Sequence, residues 1–513
     1  MKDRRHSVDQ LFPSAGVALR GLIFRLAAVV SFALLPGCRS QPPSAPDLPP
    51  PALSLGTAVG EVTATSAVIW GRCDRPAALH ARITPGERSL EADALAEHDG
   101  TARIVVDDLR PATAYTYRAW CSAGGRNDDG AVTSRAGAFH TAPAPDAVLP
   151  VRVVWGGDLG GQNVCRDAAL GYPIFYSLAA RKADLFVALG DMIYADDACL
   201  ATGRYGNAQI EGPPPAVDRA GFWAHWRYNR ADPHQQALLA AVPMVAVWDD
   251  HEIANDAGPH HDTPPFAHGT HLLPPALQAF LDYQPLVPPA NDPTRLYRSL
   301  RWGKLLELFI LDTRQFRDAN GAPDGDAAPK SLLGAAQRAW LEESLVKSDA
   351  TWKVIVASVP LSIPTGGADA RDGFAAGGGA TGFAREAASI FETLRAHGVR
   401  NHLWITTDVH FATGFAYRPI AADPGFLSHE IITGPLNAGV FPRDDLDPTF
   451  RPERLFYYAP PQAHDIASFD EAQDWFNFGL LEVFNNGRLS IGVFNGRGQA
   501  VYRTTLTPDP PPP

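Results

Sequence analysis

The chain has 513 residues, 45% of them hydrophobic and 19% charged, so it is globular in composition and long enough for more than one domain. Its net charge of −12 argues against a nucleic-acid-binding surface, which needs clustered Lys and Arg; a local basic pocket inside a cleft is a separate matter.

Residues 1–38 read as an export signal. Lys2, Arg4, Arg5, Arg20 and Arg25 supply positive charge, and the apolar run Leu26 to Leu35 is too short for an ordinary membrane span. Leu35-Pro36-Gly37-Cys38 resembles a bacterial lipoprotein cleavage box, which makes Cys38 the expected lipidated residue and that lipid the expected membrane attachment; plain secretion is the alternative. The expected location is the periplasm or the cell surface. Residues 39–52 are Pro-rich and read as an extended linker.

Residues 53–143 carry a β pattern. Val62 to Trp70 and Ala102 to Leu109 are rich in β-branched residues. Tyr115 and Tyr117 alternate with Thr116 and Arg118, and Leu109-Arg-Pro-Ala-Thr-Ala-Tyr115 resembles a fibronectin type III strand, so a small β-sandwich is predicted. After a second linker, Ala142 to Pro150, strands alternate with helical stretches over residues 150–508. Tyr172 to Lys182, Ala335 to Lys347 and Phe383 to His397 have helical apolar spacing, the last stopped at Gly398. Gly366 to Gly382 reads as a mobile glycine-rich segment, and His260 to Pro274 as an irregular loop. With Cys38 set aside, Cys73, Cys121, Cys165 and Cys199 allow three disulfide connectivities. The simplest joins Cys73 to Cys121 and Cys165 to Cys199, each inside one predicted domain; a free Cys165 is the alternative.

Five apolar strands end in Asp, Tyr or His: those before Asp158, before Asp191 and Tyr194, before Asp249-Asp250-His251-Glu252, before Asp312-Thr-Arg314, and before Asp408-Val-His410. In an open α/β sheet, ligands lie beyond the carboxyl ends of the strands. Three acids and a His after a buried strand are costly unless a cation offsets their desolvation and repulsion. Asp158, Asp191, Tyr194, Asp250, Asp408 and His410 are too many ligands for one tetrahedral zinc. They suit two ions about 3.5–4 Å apart with one bridging carboxylate, for which Asp191 is the choice. The oxygen-rich set, with a phenol, suits hard cations such as ferric iron.

These residues resemble the alkaline phosphatase D (PhoD-like) branch of the metallophosphoesterases. The resemblance runs through Arg227-Tyr-Asn-Arg-Ala-Asp-Pro, Trp248-Asp-Asp-His-Glu-Ile-Ala-Asn-Asp256, Leu311-Asp-Thr-Arg-Gln-Phe-Arg317, Gln337-Arg-Ala-Trp-Leu-Glu, Asp408-Val-His and Gly434-Pro-Leu-Asn-Ala-Gly439. It implies a four-layer α/β/β/α sandwich after the small β-sandwich domain. It also implies hydrolysis of phosphate mono- or diesters, with iron and calcium as metals. Two departures stand out. Gly-Gly-Asp158 occupies the place where the family commonly has Ser-Cys-Gln, which leaves Zn²⁺, Mn²⁺ or Mg²⁺ open at the first position. Val356-Ala-Ser-Val-Pro360 lacks the His of wider relatives, which favours Ca²⁺ at the second.

The expected reaction is attack by a metal-bound hydroxide, with His251 as acid or donor to the leaving oxygen. Arg314 and Arg230 are the expected phosphate clamps, and Arg204 and Arg227 are weaker candidates. The rival readings are a phospholipase D-type phosphodiesterase and a non-catalytic surface lipoprotein stabilised by metals.

Overall fold

Alternation along the parallel strands sorts their side chains into separate cores. Val153, Trp155, Leu185, Val187, Leu189, Val245 and Val247 meet Leu306, Leu308, Ile310, Val354, Val356, Leu403, Ile405 and Ile431 in one apolar cluster between two sheets. Their neighbours point outward. Val154, Phe186, Ala188, Met244 and Ala246 pack with Phe175, Leu178, Phe222, Trp226 and Leu238 of helices Ile174–Ala179, Arg219–Arg230 and Pro233–Ala241. Phe309, Ile355, Trp404 and Ile432 pack with Leu341, Leu345, Ile390, Phe391 and Leu394 of helices Gly334–Lys347 and Ala384–Ala396. Each fully buried aliphatic or aromatic side chain contributes about 1.5–3 kcal/mol. The result is the α/β/β/α sandwich.

This computed structural model describes residues 49–123, 134–260 and 269–509. The export signal, Cys38 and the first part of the Pro-rich linker lie outside the described residues. No helix among the described residues is long and apolar enough to cross a membrane.

The first sheet has nine strands, in the order Ala500–Leu506, Leu489–Asn495, Asn477–Val483, Val151–Gly156, Leu185–Leu189, Met244–Val247, Leu53–Gly60, Ala67–Cys73 and Thr101–Val106. The second has seven, with Leu306–Ile310, Trp352–Val356, His402–Thr406 and Ser428–Ile432 parallel at its centre. The N-terminal β-sandwich pairs three strands of the large sheet with a separate four-stranded sheet, Arg88–Ala94, Ala77–Thr84, Ala114–Ser122 and Arg135–His140. Tyr115 and Tyr117 are buried in it while Thr116 and Arg118 are exposed. Leu53–Gly60 runs parallel to Met244–Val247, so the N-terminal sandwich and the α/β region after residue 150 share one sheet, and residues from Pro50 onward form one compact unit.

The helix Ala384–Ala396 ends two residues before Gly398, whose φ of +64° suits a glycine cap. The disulfides are Cys73–Cys121 and Cys165–Cys199, each local to its own part of the chain, so Cys165 is not a free thiol. Two expectations are corrected. Residues 269–274, expected in a loop, begin the α-helix Gly269–Tyr283, although Pro274 and Pro275 lie inside it; residues 261–268 lie outside the described residues. The glycine-rich segment is not free. Gly366–Gly367 pairs with Ala370–Arg371, and Asp372 is buried against Arg314 and Arg317.

Candidate metal centre

Every strand-end acid lies just past the carboxyl end of a parallel strand, on one rim of the sandwich. Asp158 and Asp191 each follow their strand by two residues, and Asp408 follows His402–Thr406 by two. The chain turns sharply there. Asp158, Asp191, Asp408 and His410 adopt φ of +62°, +50°, +78° and +62°, a left-handed region that costs a non-glycine residue about 1–3 kcal/mol. Four such residues on one rim mark a site where the surrounding structure imposes the conformation.

The bracing is explicit. The Glu252 carboxylate accepts the backbone N–H groups of Asp191, Met192 and Asp249 at 2.9, 2.7 and 2.7 Å, so it fixes two strand ends at once. The 434–439 loop holds a third: Leu436 N–H donates to Gly157 O at 2.8 Å, Gly160 N–H to Asn437 O at 2.7 Å, and Asn437 N–H to Asp158 O at 3.1 Å. Gly434 has φ +131°, and a Cβ there would lie 2.1 Å from Asp158 Oδ2, so the loop approaches this closely only with glycine.

All six predicted ligands converge, in overlapping groups. Asp158, Asp191 and His410 bring ligand atoms within 4.8 Å of one another. So do Asp191, Asp250 and His251, and so do Asp249, Asp250 and Asp408. Asp191 belongs to the first two groups and Asp250 joins the second to the third. Tyr194 OH lies 2.9 Å from His410 Nε2. His410 Nδ1–H donates to Gly439 O, which leaves Nε2 as the acceptor or ligand atom.

The electrostatics are those of an anionic pocket that Arg314, beside Asp249 and Asp250, and His251 offset only in part. Burial, and then the negative charge of Asp250, pushes Asp191 well above the carboxylate range. Asp408 is raised by burial and then by Asp249 and Asp250. Burial lifts Asp158 to about 7 against the Thr407 hydrogen bond, and Tyr194 is pushed up by burial and Asp191. His410 falls to about 3, chiefly through burial, with His251, Arg443 and Arg204 as nearby positive charges. Four carboxylate oxygens, Asp158 Oδ1, Asp249 Oδ2, Asp250 Oδ1 and Asp408 Oδ2, are buried without a hydrogen-bond partner. Orphaned anionic oxygens, aimed together, are what bound cations would satisfy, so the residues present fit a metal centre.

His251 sits beside this cluster. Burial alone would lower its pKa, but Asp196, then Asp250 and Asp191, push it well above the usual value, and Nδ1 bonds Asp196 Oδ1 at 2.7 Å. Asp196 escaped the sequence reading of the site, and Asp249, part of the acidic strand-end run, was not among the six expected ligands. Asp196 lies in a loop five residues after Asp191, and only the fold shows that it faces His251.

The arginine expectations are corrected. Arg314 is fully buried. Its Nε donates to Asp249 Oδ1 at 2.6 Å, and its Nη groups bond Asp372 at 2.8 Å each, so its donors are spent on protein. Arg230 is turned away from the site, donating to Tyr283 O and Gln284 Oε1 at 2.9 Å and lying over the Trp70 ring. Arg227 pairs with Asp99. Asp312 is no ligand either, because Oδ1 accepts Trp248 Nε1 and caps its own turn.

A cavity of about 280 Å³ opens over the cluster, lined by Asp250, His251, Asp408, His410, Phe441 and Arg443 among others. The chain matches PhoD-like phosphatase over residues 157–477 and PhoD-like phosphatase, N-terminal domain, over residues 38–143. It is 25% identical over 451 residues to alkaline phosphatase D of Bacillus subtilis (strain 168), spanning 80% of this chain and 71% of that one. A solved structure of PhoD superposes with TM-score 0.69 at 18% identity, covering 91% of this chain and 94% of that one. The purple acid phosphatase PPD1 from yellow lupin (Lupinus luteus) seeds gives 0.58 at 14% identity, covering 89% and 74%. With the family match reaching across more than half the sequence, on the α/β/β/α frame and over this cluster of acids, the chain belongs to the PhoD-like phosphatases and is a phosphoesterase.

Proposed function

We propose that the protein is an exported, metal-dependent phosphoesterase that hydrolyses phosphate monoesters, diesters or both, with Asp158, Asp191, Tyr194, Asp250, Asp408 and His410 holding two or more cations. The observation that carries this is the set of orphaned buried carboxylate oxygens gathered around Asp191 and Asp250. Asp249 joins the donor set through its free Oδ2. Bound cations would neutralise the transferring phosphate and make water nucleophilic there. The oxygen-rich set suits Fe(III) with Ca²⁺, and leaves Zn²⁺, Mn²⁺ or Mg²⁺ as alternatives.

The chain's own groups then divide the remaining work. His251, held at Nδ1 by Asp196, which also raises its pKa, lines the cavity, and in its protonated form it can donate from Nε2 to the departing oxygen. Asp191, which belongs to two of the ligand groups, would be the carboxylate shared between the cations. Glu252 and the 434–439 loop keep the acids aligned without touching substrate. Export rests on the basic and apolar opening of the chain, on Cys38 and on the two disulfides, which suit an oxidising compartment.

Elemental analysis of the purified protein, combined with p-nitrophenyl phosphate and its bis-ester as substrates, tests the proposal. Turnover that disappears with chelation and returns with metal is expected. Bound metal without any phosphoester turnover would replace this reading with a non-catalytic, metal-stabilised surface protein.

A further inference from the structure

The cavity lining is mostly acidic or neutral. Asp250, Asp256 and Asp408 line it, while Arg443 is the one arginine or lysine among its described lining residues. Next to Arg443 stands Phe441, half-buried, its ring 5.1 Å from that of His410. The Arg204 guanidinium lies 5.1 Å from the Phe441 centroid. Both arginines are exposed, and among the described residues neither has a carboxylate within ion-pair distance. Arg443 gives Nη1 to Pro364 O at 2.8 Å, its one side-chain hydrogen bond among the described residues.

The loops beneath them are tied down. Arg204 N–H donates to Asn163 O at 2.7 Å, Val440 N–H to Tyr205 OH at 3.3 Å, and Asp447 bridges Ser362 O and Gly377 N–H at 2.8 and 2.7 Å. Two unpaired cations on braced loops, beside one aromatic ring, in a chain of net charge −12, form a receptor for an anion. The scissile phosphate belongs over the acidic floor with its cations. A second anion on the same substrate is repelled by Asp256 and drawn toward Arg443.

We infer that Arg443, with Arg204 behind Phe441, makes the enzyme select phosphate esters whose leaving group carries a second anionic group, a carboxylate or a further phosphate. This rests on the phosphoesterase reading of the same cavity. A charge-assisted contact of this kind is worth about tenfold in affinity.

The test compares phenyl phosphate with 4-carboxyphenyl phosphate in the metal-loaded full chain, as wild type, Arg443→Gln, Arg443→Lys and Arg204→Gln/Arg443→Gln. Dissociation constants for benzylphosphonate and 4-carboxybenzylphosphonate give the same comparison without turnover. Wild type is expected to prefer the carboxylated partner of each pair by about tenfold in KM and Kd, with kcat nearly equal. That ratio should collapse toward one in Arg443→Gln and the double variant, and return in part in Arg443→Lys. A wild-type ratio near one, or a ratio that survives the double variant, overturns the inference. So does an equal loss on both partners, which would put Arg443 on the scissile phosphate. Failure of both esters to turn over while the phosphonate ratio holds would count against the phosphoesterase reading alone.

Discussion

Arg314 and Asp249 form a fully buried pair, Nε to Oδ1 at 2.6 Å, and the same Asp249 carboxylate turns its other oxygen, unpartnered, toward Asp250 and Asp408. Arg314 is therefore a positioning residue that fixes one acid of the cluster from behind. Its loss leaves Asp249 and Asp372 buried without their main counter-charge, a defect that costs about 3–5 kcal/mol. Arg314→Leu is expected to lower the unfolding free energy by that amount in denaturant titration, with a loss of bound metal. An unchanged unfolding midpoint combined with a raised KM would return Arg314 to the role of a substrate clamp.

Asp191 sits where two ligand groups overlap, and its backbone is held by Glu252 independently of its own side chain. Asp191→Asn keeps the shape and removes the charge. Loss of a group that merely orients a ligand typically costs 10–100-fold in metal affinity or activity, so a bridging ligand should cost at least about a hundredfold in kcat. Circular dichroism should be unchanged while metal stoichiometry falls. Full metal occupancy with normal kcat in this variant would sink the assignment.

The strand-tip acids were legible because each follows a short apolar run, and a buried strand that ends in acid is chemically conspicuous wherever it occurs. The α/β/β/α layering follows from the same runs, since every second residue of each strand faces the shared core. What the sequence did not reveal was direction. Arg230 and Arg314 sit in polar motifs that suggest phosphate binding, yet one points at Tyr283 and Gln284 and the other at Asp249 and Asp372. Pro274 and Pro275 hid the helix Gly269–Tyr283. Interior proline costs about 3 kcal/mol, and only the burial of Leu272, Leu277, Phe280 and Leu281, invisible locally, offsets it. Asp196 was missed because nothing in a loop sequence marks the one acid that meets His251.

The two disulfides have different consequences. Cys165–Cys199 links the segment after Asp158 to the loop that carries Asp196 and Asp197, and Asp197 Oδ2 accepts Gln162 N–H at 2.6 Å beside the cavity. Cys73–Cys121 closes the N-terminal sandwich, remote from the cluster. Sequence separations of 34 and 48 predict about 3–4 kcal/mol from each in the chain-entropy account. Replacing either pair with Ser should lower Tm. Only the Cys165/Cys199 double variant should also lower kcat/KM, measured well below its own Tm; equal kinetic effects from both pairs would remove the link between that disulfide and the site.

Glu430 supplies a pH dependence that is separate from the metal ligands. Its carboxyl is fully buried and accepts from Leu361 N–H and Thr406 Oγ1 at 2.9 Å each and from Tyr417 OH at 2.5 Å. Burial nevertheless raises it from 4.5 to about 7. Below about pH 4.5 it is protonated in both folded and unfolded chains and contributes no slope. Between there and about pH 7 the folded protein keeps a proton that the unfolded chain has released, so stability falls as pH rises. Above about pH 7 the loss is complete, at about 3 kcal/mol. Glu430→Gln keeps the shape and cannot ionise. The difference in unfolding free energy between wild type and this variant should therefore shift in favour of the variant across that window, by about 3 kcal/mol, and stay flat on either side. Parallel stability curves from pH 4.5 to 8 would show that Glu430 remains ionised in its burial site.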